Sequence, residues 1–265
     1  MTFKSNHIKC TLSQIMPTML SLRYSEDGKL EAGIDEAGRG SFWGDLYAAA
    51  VIWPNEADWT DEHRRLAPDL RDSKKIAPKK RERIYEEIKR LAYDYGIGSV
   101  SAAEIDEFGV QWANVEAFQR ALDNMAFQPE RILIDGVLGL ARPPEGAEVH
   151  TIIEGDAQYM CIAAASILAK VGHDQWLRNE CVKDPTLDEK YGLTASKGYG
   201  TANHRRGIEE HGLDRRHRRR FIKFACLTYE GVPHTPLPPI KRQVQATFIE
   251  DDPILQKPMF VKRSK

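Results

Sequence analysis

The chain has 265 residues, 42% of them hydrophobic and 29% charged, with a net charge of −1. That balance supports a sizeable core and excludes disorder along the whole chain. No apolar run reaches the roughly 20 residues that a membrane-spanning helix needs.

The first 30 residues read as an extension, with few acids and with Lys4, Lys9 and Arg23 among several hydroxyls. This composition faintly resembles an organelle transit segment, but it lacks the apolar run that secretion uses; a plain flexible extension is the expectation. Residues 31–53 read as a β-hairpin in which "LEAGID" and "LYAAAVIW" flank a glycine-rich turn. Residues 77–94 carry apolar positions at helical spacing, with Pro78 suited to a first turn. "YGIGSVSA" reads as another strand, and Ser101 with Glu104 makes a capping-box pattern for the helix that follows. "QWANVEAFQRALDNM" is a further helix. "RILID" and "EVHTIIEGD" are strand signals ending at Asp135 and near Asp156, and an Ala-rich helix runs from Ala157 to about Cys181. Strands alternating with helices predict an α/β fold. Prolines at 233, 236, 238 and 239 are expected to forbid regular structure. The domain edge therefore falls near 230, with 31–230 as the main domain and 231–265 as an irregular tail, mobile or draped over the surface.

The four cysteines, Cys10, Cys161, Cys181 and Cys226, are far apart and form no C-x-x-C pair. A zinc site or disulfide framework is not expected, and a reducing compartment fits best. The small net charge hides an asymmetry: Lys197 to Lys223 holds nine Lys or Arg against Glu209, Glu210 and Asp214. Such a stretch is either a solvated face or the footprint of a polyanionic partner.

Acids recur in one setting. Asp35 and Glu36 end one apolar strand, Asp135 ends another, and Asp156 follows a third beside a glycine. In an open α/β sheet, ligands collect at the carboxyl ends of strands, so these side chains could converge. Converging carboxylates repel one another unless a cation neutralises them. Oxygen donors without His or Cys suit Mg²⁺ or Mn²⁺ rather than zinc. Each acid alone could equally be a turn former or a helix cap. The glycines at 38, 40 and 44 do not follow the G-x-G-x-x-G spacing, and strand rather than helix comes next, which argues against a nucleotide loop.

In order along the chain stand "GIDEAGRG", "DSKKIAPKKRE", "ILIDG", "EGDAQYMCIAAASILAKVGHD" and "SKGYGTANHRRGIEEHG". Together, over residues 31–222, they resemble the type 2 ribonuclease H (ribonuclease HII) family. The resemblance implies a ribonuclease H-like mixed sheet flanked by helices, with a C-terminal helical part. It also implies a metal-dependent endonuclease that cleaves RNA in RNA–DNA hybrids and nicks 5′ of ribonucleotides embedded in duplex DNA. Two Mg²⁺ or Mn²⁺ ions would be held by Asp35, Glu36, Asp135 and Asp156. Gly38, Arg39 and Gly40 match the turn that meets the 2′-hydroxyl and its neighbouring phosphate, and Tyr199 matches the tyrosine that completes ribose recognition. Ser73, Lys74, Lys75, Ser166 and Lys170 match positions along the nucleic-acid backbone, Ser166 alternatively bonding only its own helix. Asp174 would lie outside the direct ligands. A monomer acting where DNA is found, with no membrane and no required accessory subunit, is the corresponding expectation.

Three stretches depart from the family pattern. "SFWGD" puts Phe42, Trp43 and Asp45 after the turn, where the aromatics either stack on a base or pack beneath the hairpin, packing being the expectation. "AKVGHD" puts His173 where a surface helix residue is expected. "RRHRRRF" is unusually basic, which predicts stronger salt-dependent affinity for a nucleic-acid backbone. A non-catalytic nucleic-acid-binding subunit is the contrasting reading, but it should have lost one of the four acids. A related nuclease blind to single ribonucleotides should have lost Tyr199 or the Gly-Arg-Gly turn.

Overall fold

The alternating and apolar runs of the sequence become a five-stranded mixed sheet with a helix layer on each face. The computed structural model describes residues 20–70, 73, 76–223, 228–229, 232–233 and 237–240. Strands β1 (Glu31–Ala37) and β2 (Leu46–Ile52) form the expected hairpin. Helices α1 (Asp61–Leu66) and α2 (Pro78–Leu91) follow, the latter opening on Pro78, before β3 (Asp94–Val100). Helix α3 (Ala102–Phe108) opens on the capping box that Ser101 and Glu104 foretell, and leads into α4 (Val110–Asp123). Strands β4 (Arg131–Asp135) and β5 (Glu148–Ile152) precede the long helix α5 (Met160–Lys183). Short helices α6 (Thr186–Tyr191), α7 (Leu193–Ser196) and α8 (Ala202–His211) complete a C-terminal helical part.

The sheet order is β3-β2-β1-β4-β5, antiparallel in its first three strands and parallel across β1, β4 and β5. Helices α5 and α2 cover one face, with Val51, Ile84, Ile88 and Ile167 in its core. Helix α4 covers the other, with Ile34, Ala48, Phe118 and Ile132. A third apolar cluster joins Trp43 to Leu177, Tyr191, Leu193 and Ile208, and so fastens the C-terminal helices to the end of α5.

One close approach sets the spacing. Any side-chain carbon on Gly33 of β1 would collide with the backbone of Cys161 and Ile162 in α5. Only glycine lets this helix lie directly on the central strand.

Three sequence expectations need adjustment. The long helix starts at Met160, because residues 155–157, with Asp156 among them, form a separate 3-10 turn. Leu20 and Leu22 pack on the core, and Ser21 exchanges backbone hydrogen bonds with Gln158 and Met160. Proline does not forbid structure at 233. Thr228–Tyr229 (β6) pairs with Val232–Pro233 (β7), a two-stranded ladder short enough to leave a proline at its edge. The described tail residues 237–240 lie against the main domain, Arg220 donating to the Pro238 carbonyl at 3.0 Å and Ile240 meeting Gly109.

Gly33→Ala should therefore lower stability by about 1–3 kcal/mol, the usual cost of forcing extra volume into a packed core. Urea unfolding of the two proteins measures it, and equal midpoints would show that α5 can lift off β1 freely.

Candidate active site

The parallel register aligns Ile34 with Ile134, so Asp35 and Asp135 lie side by side where the pairing of β1 with β4 ends, and Asp135 lies opposite Ile152 of β5. Successive residues of a strand point to opposite faces. Asp35 accordingly faces α5, where it hydrogen-bonds Ser166, whereas Glu36 faces α4, with Asn114 Nδ2 at 3.5 Å. Gly155 donates its N–H to Asp135 Oδ1 at 2.7 Å, which places Asp156, the next residue, at the same edge. Asp35 is 7% exposed. Burial, then the charges of Glu36 and Asp135, pushes its carboxyl well above the usual range.

Buried carboxylates repelling one another are what a divalent cation relieves, and the donors are hard oxygens. Among the described residues no three His, Cys, Asp or Glu side chains form a ready-made metal cage. Oxygen donors of this kind suit a hard divalent cation, with water and phosphate oxygens filling its remaining positions.

Helix α5 carries a row past these acids at helical spacing: Ser166, Lys170, and the pair His173–Asp174. Ser166 and Ser73 share a hydrogen bond at 3.0 Å and both are buried, so they brace Asp35 from behind. Lys170 donates to Asp174 Oδ1 at 2.8 Å and lies 5.9 Å from the centre of the Tyr199 ring. Burial works to raise the Asp174 carboxyl, but hydrogen bonds from His173 and Lys170 hold it low. His173 is not a surface residue. It is fully buried, its Nδ1 3.1 Å from Asp174, and burial pushes its pKa down. Helix α5 is enclosed both by the sheet and by the C-terminal helices, so helical spacing alone could not identify an outward face. Lys74 and Lys75 lie outside the described residues.

The Gly-Arg-Gly turn sits on this row. Gly38 has φ +77°, and a side-chain carbon there would come within 2.6 Å of the His173 ring. Arg39 and Gly40 are exposed, and a carbon on Gly40 would lie 3.7 Å from the Tyr199 ring, itself 39% exposed. "SFW" joins the two halves: Phe42 and Trp43 both donate their N–H to the Gly198 carbonyl, at 2.7 and 3.2 Å. Trp43 is packed, as expected, but in the C-terminal cluster rather than beneath the hairpin. Its indole donates to Asp214 at 2.7 Å. Phe42 fills the space over Gly200, under the Arg205 guanidinium.

The basic run is divided: Arg205, Arg206, Arg215 and Lys223 are exposed, whereas Arg216, Arg218 and Arg219 reach inward. Arg218 is wholly buried and bonds backbone carbonyls of the turn. Arg216 pairs with Glu180 at 2.5 Å, and Arg219 with Asp106 at 3.3 Å. Asp106 also receives the N–H groups of Arg219 and Arg220. A buried acid on α3 and one on α5 thus organise arginines that the sequence presents only as a charge surplus. A cavity of about 500 Å³ opens at the far end of α5, lined by Arg178, Cys181, Val182 and Thr194, and none of the four acids borders it.

Two histidines that sequence reading missed hold the Tyr199 loop. Asp214 N–H donates to His217 Nδ1 at 2.8 Å, so the His217 proton sits on Nε2 and is given to His204 Nε2 at 3.0 Å. His204 then donates from Nδ1 to the Tyr199 carbonyl at 2.9 Å. The chain works only with both rings neutral. Burial pushes both pKa values down, that of His217 to about 3. A histidine with a depressed folded-state pKa stabilises fully above its unfolded value near 6.5, and loses that contribution as pH falls toward about 3. His217→Asn should therefore flatten the loss of stability between those two pH values, measured by denaturant titration across the window. An unchanged slope would show that His217 is not what acid attacks.

A family model for ribonuclease HII matches residues 32–224. The ribonuclease HII of Prochlorococcus marinus is 41% identical over 191 residues, covering 72% of this chain and 95% of its own length. That of Parabacteroides distasonis is 39% identical over 200 residues, covering 76% and 94%. Among solved structures, the ribonuclease H2 of Pyrococcus horikoshii aligns with a TM-score of 0.57 at 27% identity, over 72% of this chain and 92% of that one. With the mixed sheet, the acids at its strand ends and the relatives in agreement, the chain belongs to the ribonuclease HII family and is a type 2 ribonuclease H, an endonuclease acting on RNA–DNA hybrids.

Proposed function

We propose that the enzyme also nicks duplex DNA on the 5′ side of a single embedded ribonucleotide, with Asp35, Glu36, Asp135 and Asp156 as ligands of two Mg²⁺ or Mn²⁺ ions. The observation that carries this reading is the nearness of exposed Gly40 to the Tyr199 ring, which a carbon added at Gly40 would meet at 3.7 Å, on the turn that follows Asp35 and Glu36. A hydroxyl reader and a sugar platform lie together there, reached by a single nucleotide. The 2′-hydroxyl is the local feature that separates RNA from DNA, so selectivity requires a group that touches it. Two divalent ions bound at such a site supply an activated water and stabilise the leaving oxygen.

The residues of the chain do the rest. Asp35 and Asp135 hold their oxygens on the α5 side of the sheet, and Glu36 adds one from the α4 side. Ser166, Ser73 and the Gly155 N–H keep those carboxylates oriented. The Arg39 guanidinium, 3.8 Å from Glu36, would grip the phosphate beside the 2′-hydroxyl. Tyr199 offers its ring to the next sugar, steadied by Lys170. Water adds across the P–O3′ bond, its oxygen going to phosphorus and its proton to O3′, so the products are a 3′-hydroxyl and a 5′-phosphate.

A duplex with one ribonucleotide should be nicked in Mg²⁺ or Mn²⁺, and its all-DNA twin should not. If the purified, folded protein leaves both intact, the proposal is wrong. Tyr199→Ala should weaken the single-ribonucleotide reaction by about 1–3 kcal/mol of lost stacking, read as a fall in kcat/KM.

Asp35→Asn should abolish cleavage, and it should also raise the melting temperature of the metal-free protein. An amide in place of the buried carboxylate relieves the repulsion, at about 2–4 °C for each kcal/mol. Mg²⁺ should raise the melting temperature of the wild type more than that of the variant. The opposite ordering in calorimetry would remove Asp35 from the ligand set.

A further inference from the structure

Arg218 is fully buried, yet it determines which way the Gly-Arg-Gly peptides point. Its Nη1 donates to the carbonyls of Gly38 at 2.7 Å and Arg39 at 3.0 Å, and its Nε to that of Gly44 at 2.8 Å. No peptide bond among the described residues is cis, and in a trans peptide the C=O and N–H point in opposite directions. With both carbonyls drawn inward onto one guanidinium nitrogen, the N–H groups of Arg39 and Gly40 turn outward, on two residues that are themselves exposed. Successive outward amides make a concave donor pair that suits an oxygen ligand.

A purely stabilising role fits Arg218 poorly. Its Nη2 is buried without a hydrogen-bond partner among the described residues. Burial drives its pKa down to about 10, opposed by the charge of Asp45. A buried guanidinium with an unpaired nitrogen is costly, and an apolar side chain of similar volume would fill the space with less penalty. A lysine could not replace it, since a single ammonium lacks the fork that spans three carbonyls.

We propose that Arg218 is a positioning residue for ribonucleotide recognition: by holding the Gly38 and Arg39 carbonyls, it presents the Arg39 and Gly40 N–H groups to the 2′-hydroxyl and the adjoining phosphate. This rests on the reading that the turn meets the ribonucleotide.

The test compares wild type with Arg218→Lys on duplexes whose single ribonucleotide carries either a 2′-hydroxyl or a 2′-fluoro group. Loss of folded protein lowers both rates equally, whereas misdirected amides narrow the ratio between them. The ratio should fall by at least about tenfold, the scale of one lost hydrogen bond to a group left unpaired. An unchanged ratio in the folded variant overturns the inference. A wild type that cuts neither duplex overturns instead the reading of the turn on which it rests. Should Arg218→Lys fail to fold, amide hydrogen exchange on the wild type decides, with Ca²⁺ in place of Mg²⁺ to hold substrate uncut. Arg39 and Gly40 should gain protection of about tenfold or more with the 2′-hydroxyl duplex relative to all-DNA duplex. Equal protection by the two overturns the inference.

Discussion

The direct seating of α5 on β1 is the constraint on which the rest depends. Because Gly33 carries no side chain, the helix backbone rests on the strand two residues before Asp35. Everything α5 presents along that face is then set in order: Ser166 against Asp35, Lys170 beside Tyr199, His173 beneath Gly38, Asp174 between the lysine and the histidine. A helix rises about 1.5 Å per residue, so the stretch from Ser166 to Asp174 spans about 12 Å. The same contact keeps Asp35 buried, and burial is the main reason that its carboxyl resists ionisation.

Charge in this molecule is sorted by depth rather than by sequence neighbourhood. Asp35 and Asp135 are held close to like charge where β1 and β4 run side by side. Arg216, Arg219 and Arg218 of the basic run are compensated from within, by Glu180, Asp106 and backbone carbonyls. Asp45 belongs to the same internal account: burial raises its carboxyl to about 6 although Arg218 and Arg216 oppose the change. The departure "SFWGD" is therefore part of the scaffold that ties the turn to the C-terminal helices.

Strand and helix positions were legible because each rested on local physics. "RILID" matches β4 residue for residue, and the Ser101–Glu104 box caps α3. The nearness of Asp35, Glu36 and Asp135 was legible because each lies near the end of an apolar strand. What escaped depends on tertiary proximity. The short helices α6 and α7 offer too few turns for a periodic signal. His204 and His217 are 13 positions apart and meet only because the chain folds back after α8. Arg218 cannot be told from Arg219 or Arg220 by sequence, since the direction each side chain takes is decided by the turn that follows Asp214. The opposite facing of Asp35 and Glu36 could have been read from strand alternation alone.

The seam between the Gly-Arg-Gly turn and the Tyr199 loop has a thermodynamic consequence. Phe42 and Trp43 share one acceptor, Gly198, and the His217–His204 chain ends on the carbonyl of the very next residue. The two segments, about 160 residues apart in sequence, are thus coupled before any ligand arrives. A ligand that touches both gives up little ordering entropy on their behalf, because that cost was met during folding. On the proposed reading, selectivity then rests on whether each outward donor finds its oxygen, and not on ordering the pair.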